Sequence, residues 1–169
     1  LLAPLALRLP RLDPDSPFRP RIDGLAKHLW TKTQLGLRAA ASAFDQFDRA
    51  GVPFIVFKGA AQHAEGLASG GRRIMGDVDI LVRPEDARRA LAVLETDGWA
   101  SVNGESFEYL SRVSEVRLSA NLRKGHDGEI DLHTDAFHFT RIDPQLSEDL
   151  WTRRVPARLA TKPVHVPDS

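Results

Sequence analysis

Three carboxylates and one lysine carry most of the chemistry visible in this sequence. Asp77 and Asp79 flank Val78 at the head of the apolar run Val78-Asp79-Ile80-Leu81-Val82. Alternate side chains of a strand share a face, so both carboxylates point the same way, roughly 7 Å apart. Aspartate is disfavoured in strands, and two like charges on one face repel. A hard divalent cation offsets both effects by taking carboxylate oxygens. A strand mouth open to water does so too, and the pair alone does not choose between them. Further on, Glu129-Ile130-Asp131-Leu132-His133 alternates again, with Glu129, Asp131 and His133 opposite the apolar Ile130 and Leu132. If this strand lies beside the first, Asp131 approaches Asp77 and Asp79. Three carboxylates so placed can hold two divalent ions roughly 3.5–4 Å apart, the arrangement that drives in-line phosphoryl displacement. Asp77 and Asp79 would then bind both ions, while Asp131 binds one and helps to deprotonate the attacking hydroxyl. Read alone, Asp131 is equally the polar side of a half-exposed hairpin.

Lys58-Gly59 closes an earlier apolar run and leads into a helical pattern. A strand ending in glycine before a helix presents free N–H groups and positive dipole to a phosphate, and Lys58 adds a mobile charge. A plain turn with a solvated lysine has the same sequence. Arg72 and Arg73 precede the acid pair and can clamp a triphosphate or remain solvated; Arg73 is the better placed. His63 reads as a surface residue. His133 reads as a partner of Asp131, a metal ligand or a structural histidine. Trp30, Trp99 and Trp151 read as core or partner contacts.

The elements that must position these groups follow from periodicity. Residues 1–22 hold five prolines, a density that predicts an irregular lead-in with no regular helix. Asp23 reads as an N-cap, and Leu25, Leu29, Leu37, Ala40, Phe44 and Phe47 predict a long amphipathic helix ending at Gly51. Val52–Phe57 predicts a buried strand, Ala60–Ala68 a helix stopped by Gly70-Gly71, and Asp77–Val82 a second strand. Pro84 opens a helix with Ala87, Leu91 and Leu94 on its buried face, ending at Gly98. Trp99–Val102 reads as a short strand, and Phe107–Val113 is ambiguous. Val116, Leu118, Ala120 and Leu122 alternate with polar residues, and the Asp127-Gly128 turn joins that strand to Glu129–His133 as a hairpin. Asp143-Pro144 starts a short helix through about Trp151. The stretch holding Val155, Leu159, Val164 and Val166 is strand-like but interrupted by proline.

Composition narrows the setting. The chain has 169 residues, enough for one domain, with 23 basic and 23 acidic side chains that cancel. No global basic field recruits nucleic acid, so a long nucleic-acid partner is disfavoured. Cysteine is absent, which excludes disulfides and thiolate metal sites and fits a reducing, cytoplasmic compartment. No apolar run reaches the roughly 20 residues of a membrane span, and Leu1–Leu9 lacks the flanks of a signal peptide. A start without methionine and an end at Pro167-Asp168-Ser169 lead us to expect a fragment. We divide the chain into a proline-rich lead-in, 1–22, and one domain, 23–169.

The ordered blocks Phe57-Lys58-Gly59, Arg73, Gly76-Asp77-Val78-Asp79-Ile80-Leu81-Val82 and Ile130-Asp131-Leu132-His133 resemble the uncharacterised nucleotidyltransferase family of the polymerase-β superfamily. The resemblance runs from about Gly51 to His133. It implies an α/β domain of α+β type, with a small mixed sheet flanked by helices. It also implies Mg²⁺- or Mn²⁺-dependent transfer of a nucleoside monophosphate from an NTP such as ATP to a hydroxyl-bearing small molecule, peptide or protein, with release of pyrophosphate. By position, Asp77 and Asp79 match the metal-binding pair and Asp131 the third acid, while Lys58, Gly59, Arg73 and Gly76 fall where the triphosphate is held. Lys58-Gly59 replaces the superfamily's usual Gly-Ser turn, removing a serine contact to phosphate, and the spacing to Asp77 is long. A helical C-terminal part implied by the resemblance is expected to be missing. Two other outcomes are compatible with the same residues: a nucleotide-binding or antitoxin-like regulatory module without turnover, and phosphoryl transfer on the same metal site.

Overall fold

The computed structural model describes residues 2–64, 74–114, 116–126, 128–136 and 144–168. Its centre is a five-stranded mixed sheet in the order β1 (Phe54–Val56), β2 (Val78–Val82), β5 (Gly128–His133), β4 (Ser119–Lys124), β3 (Ala100–Ser101). Only β2 and β5 run parallel; the other pairings are antiparallel. All five residues of β2 are buried, as expected of a strand covered on both faces.

The two faces differ in what covers them. On one, Val78, Ile80 and Val82 of β2 join Ile130 and Leu132 of β5 in the main core. The long helix α2 (Arg19–Ala50) packs there through Leu37, Ala40, Phe44 and Phe47, and α4 (Ala87–Thr96) through Ala90, Leu91 and Leu94. Phe44 stacks on Phe54 at 5.2 Å. On the opposite face, Ile55, Phe57 and Leu81 form a smaller apolar cluster with Trp151 of α6 (Pro144–Thr152). Asp79 and Asp131 lie on this second face, next to that cluster.

The amino-terminal segment departs from expectation. Leu2–Leu12 is a helix, α1, although Pro10 lies inside it. Pro4 and Pro20 fall in the first turns of α1 and α2, where a missing N–H costs nothing. Pro14 and Pro17 fall between the two helices, so proline density punctuates the helices here without preventing them. As a result α2 begins at Arg19 and Asp23 is interior, 3.8 Å from Arg19. Its end is as expected, with Gly51 left-handed at φ 63°. Leu25 and Trp30 are exposed, at 48% and 42%, so the apolar stripe buries only from the middle of α2 onward.

The remaining elements follow the sequence pattern, with some shifts. The helix after β1, α3, spans Lys58–Ala64, and the expected continuation over 65–68 with Gly70-Gly71 lies outside the described residues. The ambiguous Phe107–Val113 is a helix, α5, because Ser106 caps it by accepting the Tyr109 N–H. Strand β4 starts at Ser119, three residues later than the alternation suggested; Val116 is exposed while Ala120 and Leu122 are buried. The proline-interrupted end is a hairpin, β6 (Val155–Leu159) and β7 (Lys162–Val166). Its Leu159, Val164 and Val166 complete the main core. No described helix is long and apolar enough to cross a membrane.

Two contacts fix the β4–β5 hairpin against its neighbours. Asp97, after α4, accepts from Ser42 of α2 and from the Trp99 indole, and pairs with Lys124 of β4 at 2.9 Å. Gly128 opens β5 where α2 comes closest: a Cβ there would lie 2.7 Å from the Ala39 Cβ and 2.9 Å from the Lys124 carbonyl. We therefore expect Gly128→Ala to lower stability by about 1–3 kcal/mol in urea melts, through overpacking. Adding Ala39→Gly should recover part of the loss, and an unshifted single variant would show that the approach is looser than described.

Candidate active site

Parallel pairing of β2 with β5 places Asp79 directly opposite Asp131 and Leu81 opposite His133. Paired residues share a face, so the acid late in the chain lies on the same side of the sheet as the earlier one. Asp79 is buried, Asp131 is partly buried, and the His133 ring is 1% exposed. His133 Nε2 stands 2.7 Å from Asp131 Oδ2 and 3.2 Å from Asp79 Oδ1. The Phe57 ring meets the imidazole edge-on at 4.9 Å.

Lys58 reaches this pair from the end of β1. The Phe57 N–H donates to the Asp79 carbonyl at 3.2 Å, extending the β1–β2 pairing to the first residue of the turn. Lys58 itself has φ 52°, the left-handed region that a side-chain-bearing residue enters at a cost of about 1 kcal/mol or more. From there its ammonium donates to Asp79 Oδ1 at 2.7 Å, lies 3.2 Å from His133 Nε2, and sits over the Phe57 ring at 5.0 Å. The lysine side chain is 49% exposed, so it enters the site from solvent.

The electrostatics follow from these distances. Burial opposes the Asp79 charge, but hydrogen bonds from His133 and Lys58 outweigh it and hold the carboxyl below its ordinary 3.8. Burial likewise opposes a charged His133, yet its hydrogen bonds to Asp131 and Asp79 raise it above 6.5. Asp77 lies at the exposed mouth of β2, and its pKa is raised, first by burial and then by the charges of Asp79 and Asp131. Asp131 Oδ1 is buried and has no hydrogen-bond partner among the described residues. An oxygen left so is costly, and a bound cation would satisfy it. Asp79, Asp131 and His133 each offer a ligand atom within 4.8 Å of the others, so the residues present fit a divalent ion.

The segment leading to Asp77 is anchored by a residue that periodicity alone did not single out. Thr33, buried in α2, accepts the Met75 N–H at 3.0 Å, and its hydroxyl lies 3.2 Å from the Met75 carbonyl and 3.0 Å from that of Leu29. Its signal in the sequence is a hydroxyl on the apolar stripe Leu29, Thr33, Leu37. Gly76 and Asp77 line a small cavity beside it, with Lys32, Thr33 and Glu129. Thus Lys58, Asp79, Asp131 and His133 come together, Asp77 is near enough to feel their charges, Gly76 lines the cavity beside Thr33, and Gly59 is the second residue of α3. Arg72 and Arg73 lie outside the described residues.

Over residues 9–169 the chain matches the model of a family described as "Uncharacterised nucleotidyltransferase". No curated protein matches it. Among solved structures it is similar to the lincosamide antibiotic adenylyltransferase LnuA in its lincomycin-bound form. The TM-score is 0.52 at 14% identity, covering 78% of this chain and 79% of that one. At that identity the likeness is one of fold, the polymerase-β-like nucleotidyltransferase fold.

The charge cluster predicts a pH signature for the metal-free protein. The depressed Asp79 contributes stability that is present above 3.8 and lost as pH falls through its folded value. The elevated His133 contributes stability that is full below 6.5 and lost as pH rises through its folded value. Melting temperature in a chelator should therefore decline on the alkaline side of 6.5, and His133→Gln should flatten that limb. A wild-type profile level across this range would contradict the assignment.

Proposed function

The chain belongs to the uncharacterised nucleotidyltransferase family, and on that premise we propose that it transfers a nucleoside monophosphate from an NTP to a hydroxyl on a small-molecule acceptor. The observation that carries this reading is Asp79 and Asp131 in register on parallel strands, with a buried Asp131 oxygen that has no hydrogen-bond partner among the described residues. An adenylyltransferase of an antibiotic shares the fold, which supports ATP as donor and a small hydroxylated molecule as acceptor.

Asp77, Asp79 and Asp131 are the residues that would hold Mg²⁺ or Mn²⁺. The chemistry a divalent ion supplies there is neutralisation of phosphate charge and a lower pKa for the attacking hydroxyl. In the transfer the acceptor oxygen bonds to the α-phosphorus, and the bond to the pyrophosphate oxygen breaks with its electron pair leaving on pyrophosphate. Asp131 takes the hydroxyl proton and passes it to solvent. Lys58, on an arm open to solvent, exchanges Asp79 for the triphosphate, and Gly59 lets phosphate approach the backbone. The family resemblance assigns the same tail to Arg73 for its charge and to Gly76 for the room that it leaves.

One observation favours a second reading, nucleotide binding without transfer: Lys58 already satisfies Asp79 Oδ1. Incubation with α-labelled NTPs, Mg²⁺ and a panel of hydroxylated acceptors separates the two. Transfer should release pyrophosphate and add a whole nucleotide to the product mass, where phosphoryl transfer would add a single phosphate. Asp79→Asn and Asp131→Asn should each slow the reaction by about 10²-fold or more. Variants as fast as wild type would reject the proposal, and binding without pyrophosphate release would establish the second reading.

A further inference from the structure

We propose that His133 is itself a ligand of the divalent ion, so that the site is a centre of two carboxylates and one imidazole that binds Mn²⁺ in preference to Mg²⁺. The inference rests on the metal-dependent reading above and goes beyond its three aspartates.

One ring nitrogen, Nε2, faces both carboxylates, at 2.7 Å from Asp131 Oδ2 and 3.2 Å from Asp79 Oδ1. An ion with six ligands at roughly 2.1 Å holds neighbouring donor atoms about 3 Å apart. The two observed separations bracket that spacing, and all three donors fall within 4.8 Å of one another. The ring is held in this aim. It is 1% exposed, packed edge-on against Phe57, and its strand partner Leu81 belongs to the apolar cluster with Ile55 and Trp151. A histidine so enclosed cannot turn Nε2 out to water, so packing holds that nitrogen toward the two carboxylates.

Positive charge already sits at this point. The Lys58 ammonium contacts two of the three donors, at 2.7 Å from Asp79 Oδ1 and 3.2 Å from Nε2. Its half-exposed side chain can withdraw to solvent or to a triphosphate, whereas His133 has nowhere to go. Ligation also needs Nε2 without its proton, which passes to solvent as the ion enters.

The donor set decides the preference. Mg²⁺ keeps oxygen ligands and several waters, while Mn²⁺ shares the preference for carboxylates but, as a first-row transition ion, accepts one imidazole nitrogen more readily than Mg²⁺ does. Asp77, at the exposed mouth, would add a further carboxylate oxygen that suits either ion and does not discriminate.

The test uses the whole chain with Mn²⁺ alone, by pulsed electron paramagnetic resonance. Wild-type protein should show a ¹⁴N coupling to bound Mn²⁺ that changes to the ¹⁵N pattern when only histidine is ¹⁵N-labelled. His133→Gln should abolish that coupling and weaken Mn²⁺ binding by at least about tenfold, with a smaller loss for Mg²⁺. Mn²⁺ bound to wild type without histidine nitrogen coupling overturns this inference and leaves the transferase reading intact. Failure of wild type to bind Mn²⁺ or Mg²⁺ overturns both. Because the labelled wild type carries the decisive signal, the test stands even if the variant does not fold.

Discussion

Two negative charges held side by side on adjacent strands are the constraint to which the surrounding residues respond. Like charges directly opposite each other in a sheet are destabilising. Here the parallel register of β2 and β5 makes that juxtaposition unavoidable for Asp79 and Asp131. Burial aggravates it, because a charge removed from water needs a partner. The protein answers with Lys58 on one carboxylate and His133 between both. Even so, one Asp131 oxygen stays unpartnered among the described residues, and Asp77 still feels two negative neighbours. An acceptor oxygen that the described side chains leave unsatisfied is the opening that the proposed ion would take.

The scaffold serves that juxtaposition. The main core is apolar and broad, with α2 and α4 covering one face of the sheet so that β2 and β5 cannot slide. A one-residue slip of either strand would turn its aspartate into that core and its apolar side chains away from it. The opposite face is divided: Ile55, Phe57, Leu81 and Trp151 dry one part of it, and the acids occupy the rest. Arg83 stacks on Trp151 at 4.8 Å and pairs with Glu148, tying α6 over the end of β2. Phe57 serves both parts, as a member of the apolar cluster and as the wall that orients His133. Helix α2 reaches the site twice, through Thr33 on the backbone of Met75 and through Ala39 against Gly128.

The left-handed backbone of Lys58 belongs to the same logic. A lysine in that conformation gives up backbone stability, and such strain concentrates where function over-determines it. What the strain obtains is a short path from β1 to Asp79 for a side chain that remains open to solvent. Family membership and a shared fold with an antibiotic adenylyltransferase fit this arrangement of a movable cation beside fixed anions.

Much of this was legible from residue order. Alternation around Asp79 and Asp131 marked their faces, the Gly51 stop marked the end of α2, and the three separated blocks marked the family. These signals are local, set by periods of two and 3.6 residues and by the conformational freedom of glycine. Proline counting misled at the amino terminus, because the cost of proline depends on its place in a helix and not on its frequency. What the chain order left open was which strands lie side by side, since pairing is settled by burial and chain connection across long separations. Tertiary structure alone made β2 the parallel neighbour of β5, set His133 rather than Asp77 closest to Asp79 and Asp131, and brought Lys58 onto Asp79. The sequence determined which groups could act; only the packed sheet decided which of them meet, because charges interact through space and not along the chain.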